Sequence, residues 1–186
     1  AAHHGVVLAK IKNLYAANRL EEAIDGLDVF LKKNLLIDKQ LLSKCNLALA
    51  LWLPHMDMRV PDLLARSVAL NPESYKSRSA LALSQFKDLR PDSPPAAVVD
   101  TVRSLFKCIA LSVSAPLQDV LRIITLWFKW YDGSGKAVRA EFEAGFDAVP
   151  LKTWLQATPQ ILARLRGPQT PLRDSISALM TRVGSA

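Results

Sequence analysis

Leu117-Gln118-Asp119-Val120-Leu121-Arg122-Ile123-Ile124-Thr125-Leu126-Trp127-Phe128-Lys129-Trp130 is the stretch whose reading decides the fold. Gln118, Arg122, Thr125 and Lys129 recur at spacings of four, three and four, so on a helix they form one narrow polar stripe. Leu117, Val120, Leu121, Ile123, Ile124, Leu126, Trp127, Phe128 and Trp130 cover the rest of the circumference. A helix that is apolar over most of its surface must be packed on more than one side. The segment therefore calls for other helices around it, and Pro116 is well placed to start it.

Working outward, the chain supplies those helices. Downstream, Asp132-Gly133-Ser134-Gly135 reads as a turn and Lys136 to Val149 as a helix. Leu151 to Arg166 reads as another, which Pro159 should kink or split, and Gly167-Pro168 ends it before a last helix from about Thr170 to Val183. Upstream, Val98, Val99, Val102, Leu105, Phe106 and Ile109 form one amphipathic face. Arg90-Pro91-Asp92-Ser93-Pro94-Pro95 precedes it as the clearest linker in the chain. Before that, the spacing predicts helices over Gly5–Ala16, from Glu21-Glu22 to Lys33, over Lys39–Trp52 capped by Asp38, from Pro61 to Leu70, and over Tyr75–Leu89. No stretch alternates in the manner of a half-buried strand. The expected fold is all-α, a right-handed helical-repeat solenoid of the TPR/HEAT-like kind with about ten antiparallel helices, because each short-looped pair has an apolar face that only the next can cover. Its organisation reads as TPR-like hairpins over 1–90, a proline linker over 91–95 and C-terminal helices over 96–186, all in one continuous solenoid. Asn18-Arg19-Leu20-Glu21-Glu22-Ala23-Ile24 and Ser67-Val68-Ala69-Leu70-Asn71-Pro72 carry tetratricopeptide character, but off the 34-residue period, so the repeats are irregular.

Composition and motifs exclude most chemistry. Half of the 186 residues are hydrophobic, enough for a continuous core, and charges interrupt every apolar run, so no membrane span is expected and the chain reads as soluble. The net charge of +7 is spread evenly, with 13 basic and 10 acidic residues over 1–95 and 11 and 7 over 96–186. A nucleic-acid surface would gather its cations on one face with aromatic platforms, so no nucleic-acid partner is expected. Cys45 and Cys108 sit singly inside helical patterns and read as small buried hydrophobes, in keeping with a reducing compartment. Gly133-Ser134-Gly135-Lys136 glances at a phosphate loop, yet Trp130 stands where the first Gly belongs and Ala137 where a Ser or Thr should hold magnesium. His3, His4 and His55 lack second ligands at metal spacing, so no metal site is assigned. Glu141 and Glu143 are two apart on a helix, so they point to different faces, cannot act as an acid–base pair and read as solvated surface. No kinase, dinucleotide or hydrolase motif occurs, so no catalytic residue and no cofactor is assigned.

Two strings carry a family resemblance. Leu117, Gln118, Asp119, Leu121, Arg122, Thr125, Leu126, Trp127 and Phe128 match a Leu-Gln-Asp-x-Leu-Arg-x-x-Thr-Leu-Trp-Phe stretch, and Thr153, Trp154, Leu155, Gln156, Pro159, Gln160, Ala163 and Arg164 match a Thr-Trp-Leu-Gln-x-x-Pro-Gln-x-x-Ala-Arg stretch. In that order they resemble the FAT region of target of rapamycin (TOR) kinases, in the phosphatidylinositol 3-kinase-related kinase family. The resemblance is strongest over Val98–Val183 and fainter over Gly5–Leu89, and Trp130-Tyr131-Asp132-Gly133 departs from the family's loop. It implies a non-catalytic scaffold in growth and nutrient signalling, whose repeats brace a serine/threonine kinase domain lying further along the same parent chain. It also implies contacts with neighbouring repeats and TOR-complex subunits, and a cytoplasmic location that reaches endomembrane surfaces through the parent complex. The alternative from the residues is a free-standing TPR-like adaptor holding a partner peptide in its groove, and an RNA-binding repeat would need base-reading side chains that do not recur here. With Ala1-Ala2-His3-His4 at one end and an apolar helix at the other, the chain is expected to be a piece of a longer protein.

Overall fold

The computed structural model describes residues 2–34, 37–113, 116–166 and 168–185. Among these there is no strand. They form ten α-helices: α1 Ala2–Ala16, α2 Leu20–Lys33, α3 Lys39–Trp52, α4 Val60–Leu70, α5 Tyr75–Asp88, α6 Pro95–Leu111, α7 Leu117–Trp130, α8 Lys136–Ala148, α9 Thr158–Ala163 and α10 Pro171–Gly184. Two 3-10 segments, Leu151–Ala157 and Arg164–Arg166, flank α9. Within residues 1–81 α1 packs on α2, α2 on α3 and α3 on α4, and within residues 82–186 α6 packs on α7 and α8, so the architecture is the all-α helical repeat that the periodicity predicts. The chain divides into two compact units, residues 1–81 and 82–186, and the division falls inside α5.

In the first unit the core is mainly aliphatic. Ile11 of α1, Leu27 and Phe30 of α2, Leu42 and Leu49 of α3 and Leu64 of α4 are buried together, as the helical spacing requires. Local chemistry sets the helix ends. Asp38 caps α3 by accepting from the Leu41 N–H at 2.9 Å, and Glu21 and Glu22 stand in the first turn of α2, where the helix dipole favours them. Small polar residues let α3 and α4 approach closely, and the hydroxyls of Ser43 and Ser67 each donate to the other's backbone carbonyl at 2.8 Å. Ser77 of α5 stands 2.9 Å from the Ser67 hydroxyl, so these buried polar groups are paired and not left costly. In the loop between α3 and α4, the Arg59 guanidinium beside Asp57 holds that carboxyl at about 2, well below its usual range.

The second unit has an aromatic centre. Phe106 of α6, Trp127 of α7, Phe142 and Phe146 of α8 and Trp154 of the first 3-10 segment are all buried. Ring centroids stand 4.5 Å apart for Trp127 and Phe146, and 5.1 Å for Phe146 and Trp154. Gly145 permits the approach of α6 to α8, since a Cβ there would fall inside the Phe106 ring. Pro95 opens α6 at a position where the missing N–H costs nothing. Pro159 splits the 151–166 segment as expected. A continuous helix would press the proline ring on the Leu155 carbonyl, so the chain turns in 3-10 fashion through Ala157 and restarts with Pro159 in the first turn of α9. Gly167, read as the stop of this segment, lies outside the described residues.

Candidate functional site: a cationic groove beside α7 and α9

The residues of the two strings that carry the resemblance divide into a buried set and an exposed set, and the division follows the helical period. Asp119, Leu126, Trp127, Thr153 and Trp154 are buried, and Leu121, Arg122 and Phe128 are half-buried. Leu117, Gln118, Thr125, Leu155, Gln156, Pro159, Gln160, Ala163 and Arg164 are exposed. The buried set fixes the two strings to each other, because Trp127 from one and Trp154 from the other both pack on Phe146. The indole N–H groups of Trp127, Trp130 and Trp154 find no acceptor among the described residues, so these rings contribute through packing.

Three of the exposed set, Thr125, Gln160 and Arg164, meet at one open groove of about 540 Å³, lined by Leu121, Ile124, Thr125, Phe128 and Lys129 from α7 and by Gln160 and Arg164 from the α9 side. Five of these seven belong to the two strings, which are brought together here by the fold although they lie far apart in sequence. The floor is apolar. The Thr125 hydroxyl donates to the Leu121 carbonyl at 2.8 Å, which spends its polarity on its own helix. The Arg164 guanidinium carbon lies over the Phe128 ring, 4.7 Å from its centroid, and the Lys129 ammonium lies 5.4 Å from the Trp130 centroid. No carboxylate lines the groove.

Elsewhere in this unit several carboxylates are paired. Arg122 donates to Asp119 at 2.7 Å, holding a carboxylate whose side chain is only 3% exposed in the first turn of α7. The sequence signal for that burial was an Asp followed three residues later by Arg on an otherwise apolar helix, and the polar stripe alone did not include it. Glu141 and Glu143 do point to different faces, but the solvated reading of Glu143 is corrected. Glu143 is half-buried and accepts hydrogen bonds from the Tyr131 hydroxyl and the Ser175 hydroxyl, both at 2.6 Å, joining α8 to the end of α7 and to α10. Burial first, and then this hydrogen bond, push the Tyr131 phenol above its usual value. Glu141 meets Arg103 of α6 through two hydrogen bonds, at 3.0 and 2.8 Å.

The remaining candidates offer no assembled chemistry. Gly135 adopts φ +84° at the start of α8, which makes the Gly133–Lys136 stretch a turn that glycine permits. Cys45 and Cys108 are buried free thiols, and burial raises the pKa of Cys45, away from nucleophilic use. Among the described residues no cluster of His, Cys, Asp and Glu could hold a metal ion. No described helix is long and apolar enough to cross a membrane.

No protein-family model matches the chain. Among curated proteins it is similar to the serine/threonine-protein kinase TOR2 of Saccharomyces cerevisiae, 36% identical over 89 residues that make up 48% of this chain. The serine/threonine-protein kinase TOR of Arabidopsis thaliana is 37% identical over 92 residues, or 47% of the chain. The serine/threonine-protein kinase mTor of Drosophila melanogaster is 25% identical over 229 residues, and that match takes in 96% of the chain. The chain spans 4% of the length of the first two and 9% of the third.

Proposed function

From the homology of this chain to TOR serine/threonine kinases, which extends over about half to nearly all of its length, we propose that it is a non-catalytic scaffold segment of a TOR-like kinase, the FAT-region helices that brace a kinase domain elsewhere in the same polypeptide. The observation that carries this reading is the convergence of both family strings on one exposed groove above a shared buried centre of Trp127, Phe146 and Trp154. Residues that served only the core of this chain would all be buried. Here the same strings also present Gln160, Arg164 and Thr125 outward, where another part of a longer protein would meet them. The mechanism is mechanical. A close-packed aromatic centre holds α7 and α9 at a fixed separation, so a partner surface docks on a rigid support. The kinase domain and neighbouring repeats of the parent chain are the intended contacts, with TOR-complex subunits as further ones. The location is cytoplasmic, reaching endomembrane surfaces through the parent complex.

An antibody raised against residues 1–186 and used to isolate the endogenous protein tests this. The expected product is a polypeptide many times larger than 20.5 kDa that co-purifies with serine/threonine kinase activity. A product of 20.5 kDa, bound to other proteins and without kinase activity, would overturn the scaffold reading in favour of a free-standing adaptor.

A further inference from the structure

We propose that the groove beside α7 and α9 receives an acidic, apolar-anchored helical segment of the same polypeptide from outside residues 1–186. This rests on the scaffold reading above and names what the scaffold holds. Leu121, Ile124 and Phe128 make a floor that an amphipathic helix can fill with residues spaced three and four apart. Two cations then fix the sign of its flank. The Arg164 guanidinium carbon lies 4.7 Å from the Phe128 centroid at the groove, and a guanidinium offers N–H donors in a fork that matches a carboxylate.

The charges that line the groove point the same way. Arg164 and Lys129 make no ion pair among the described residues, although both line one groove. Two uncompensated positive charges beside an apolar floor repel each other and attract an opposite charge from outside, more strongly as an occupant excludes water. A basic or neutral helix would bury that repulsion, so the complementary segment carries Asp or Glu next to its apolar anchors.

Zero-length carbodiimide cross-linking of the intact immunopurified protein, which joins a lysine amine to a carboxylate in direct contact, reads this out. The expected product is an amide between Lys129 and an Asp or Glu of the same polypeptide beyond residues 1–186. Arg164→Glu is expected to lower its yield on the order of tenfold, as loss of one charge and gain of a like charge would do, with Arg164→Lys intermediate. Because Arg164 is exposed, helical content by circular dichroism should stay unchanged in both variants. An unmodified Lys129 beside normally reacting lysines elsewhere in 1–186 would overturn the proposal. So would an amide to a different polypeptide, or a yield insensitive to Arg164→Glu. The mass of the isolated polypeptide is read before cross-linking, so failure of the scaffold reading is distinguished from failure of the groove assignment.

Discussion

At the scale of single residues, the tightest demand in the molecule is the absence of a side chain at Gly145. The Phe106 ring occupies the space where a Cβ would stand, and Phe106 is itself held among Phe142, Phe146 and Trp154, so it cannot swing away freely. Gly145→Ala is expected to destabilise the second unit by about 1–3 kcal/mol, the usual cost of overpacking a filled core. Shortening the neighbour in the double variant Gly145→Ala with Phe106→Leu should return part of that loss. Denaturant midpoints of the two variants check this, and a Gly145→Ala protein as stable as the parent would show that α6 and α8 yield more than their packing suggests.

At the scale of elements, Glu143 ties three helices with one carboxylate oxygen. Tyr131 at the end of α7 and Ser175 on α10 both donate to its Oε1, so removing the acceptor leaves two donors in a partly buried place. Glu143→Ala should cost about 1–3 kcal/mol, and Glu143→Gln, which keeps a carbonyl acceptor, should recover most of it. Burial of Tyr131 first, and then this bond, give a pH sign. The Tyr131 phenol is raised above 10.0, so the stability that this raised value represents is present below pH 10 and is lost as pH rises through the folded value. Amide exchange at the start of α10 is the complementary readout, since Glu143→Ala should speed it while leaving α3 and α4 unaffected.

At the scale of the whole chain, the open question is what covers the exposed apolar side chains. Val6 on α1 is 69% exposed, Met56 and Met58 before α4 are 81% and 93% exposed, and Leu155 beside α9 is 58% exposed. Under the scaffold reading proposed above, the rest of the parent polypeptide covers such side chains. The 186-residue chain by itself is therefore expected to associate at high concentration, with a light-scattering mass above 20.5 kDa that falls on dilution. A strictly monomeric, cooperatively unfolding chain would count against it as a covered piece of a larger assembly.

The sequence by itself determined the helical class and most helix ends, because the 3.6-residue period, Asp38, Pro61 and Pro159 act locally and need no partner to act. It also carried the resemblance to TOR kinases, since the strings at Leu117–Phe128 and Thr153–Arg164 are unusual as strings. Only the tertiary structure decided which members of those strings are support and which are surface. Trp127 and Trp154 meet on Phe146 across 26 intervening positions, and no local period encodes that meeting. The same holds for Glu143, which reads as a surface carboxylate until α10 brings Ser175 to it, and for Arg164, whose role depends on Phe128 lying beneath it. Burial and charge pairing are properties of neighbours in space, and a helical repeat chooses those neighbours by packing.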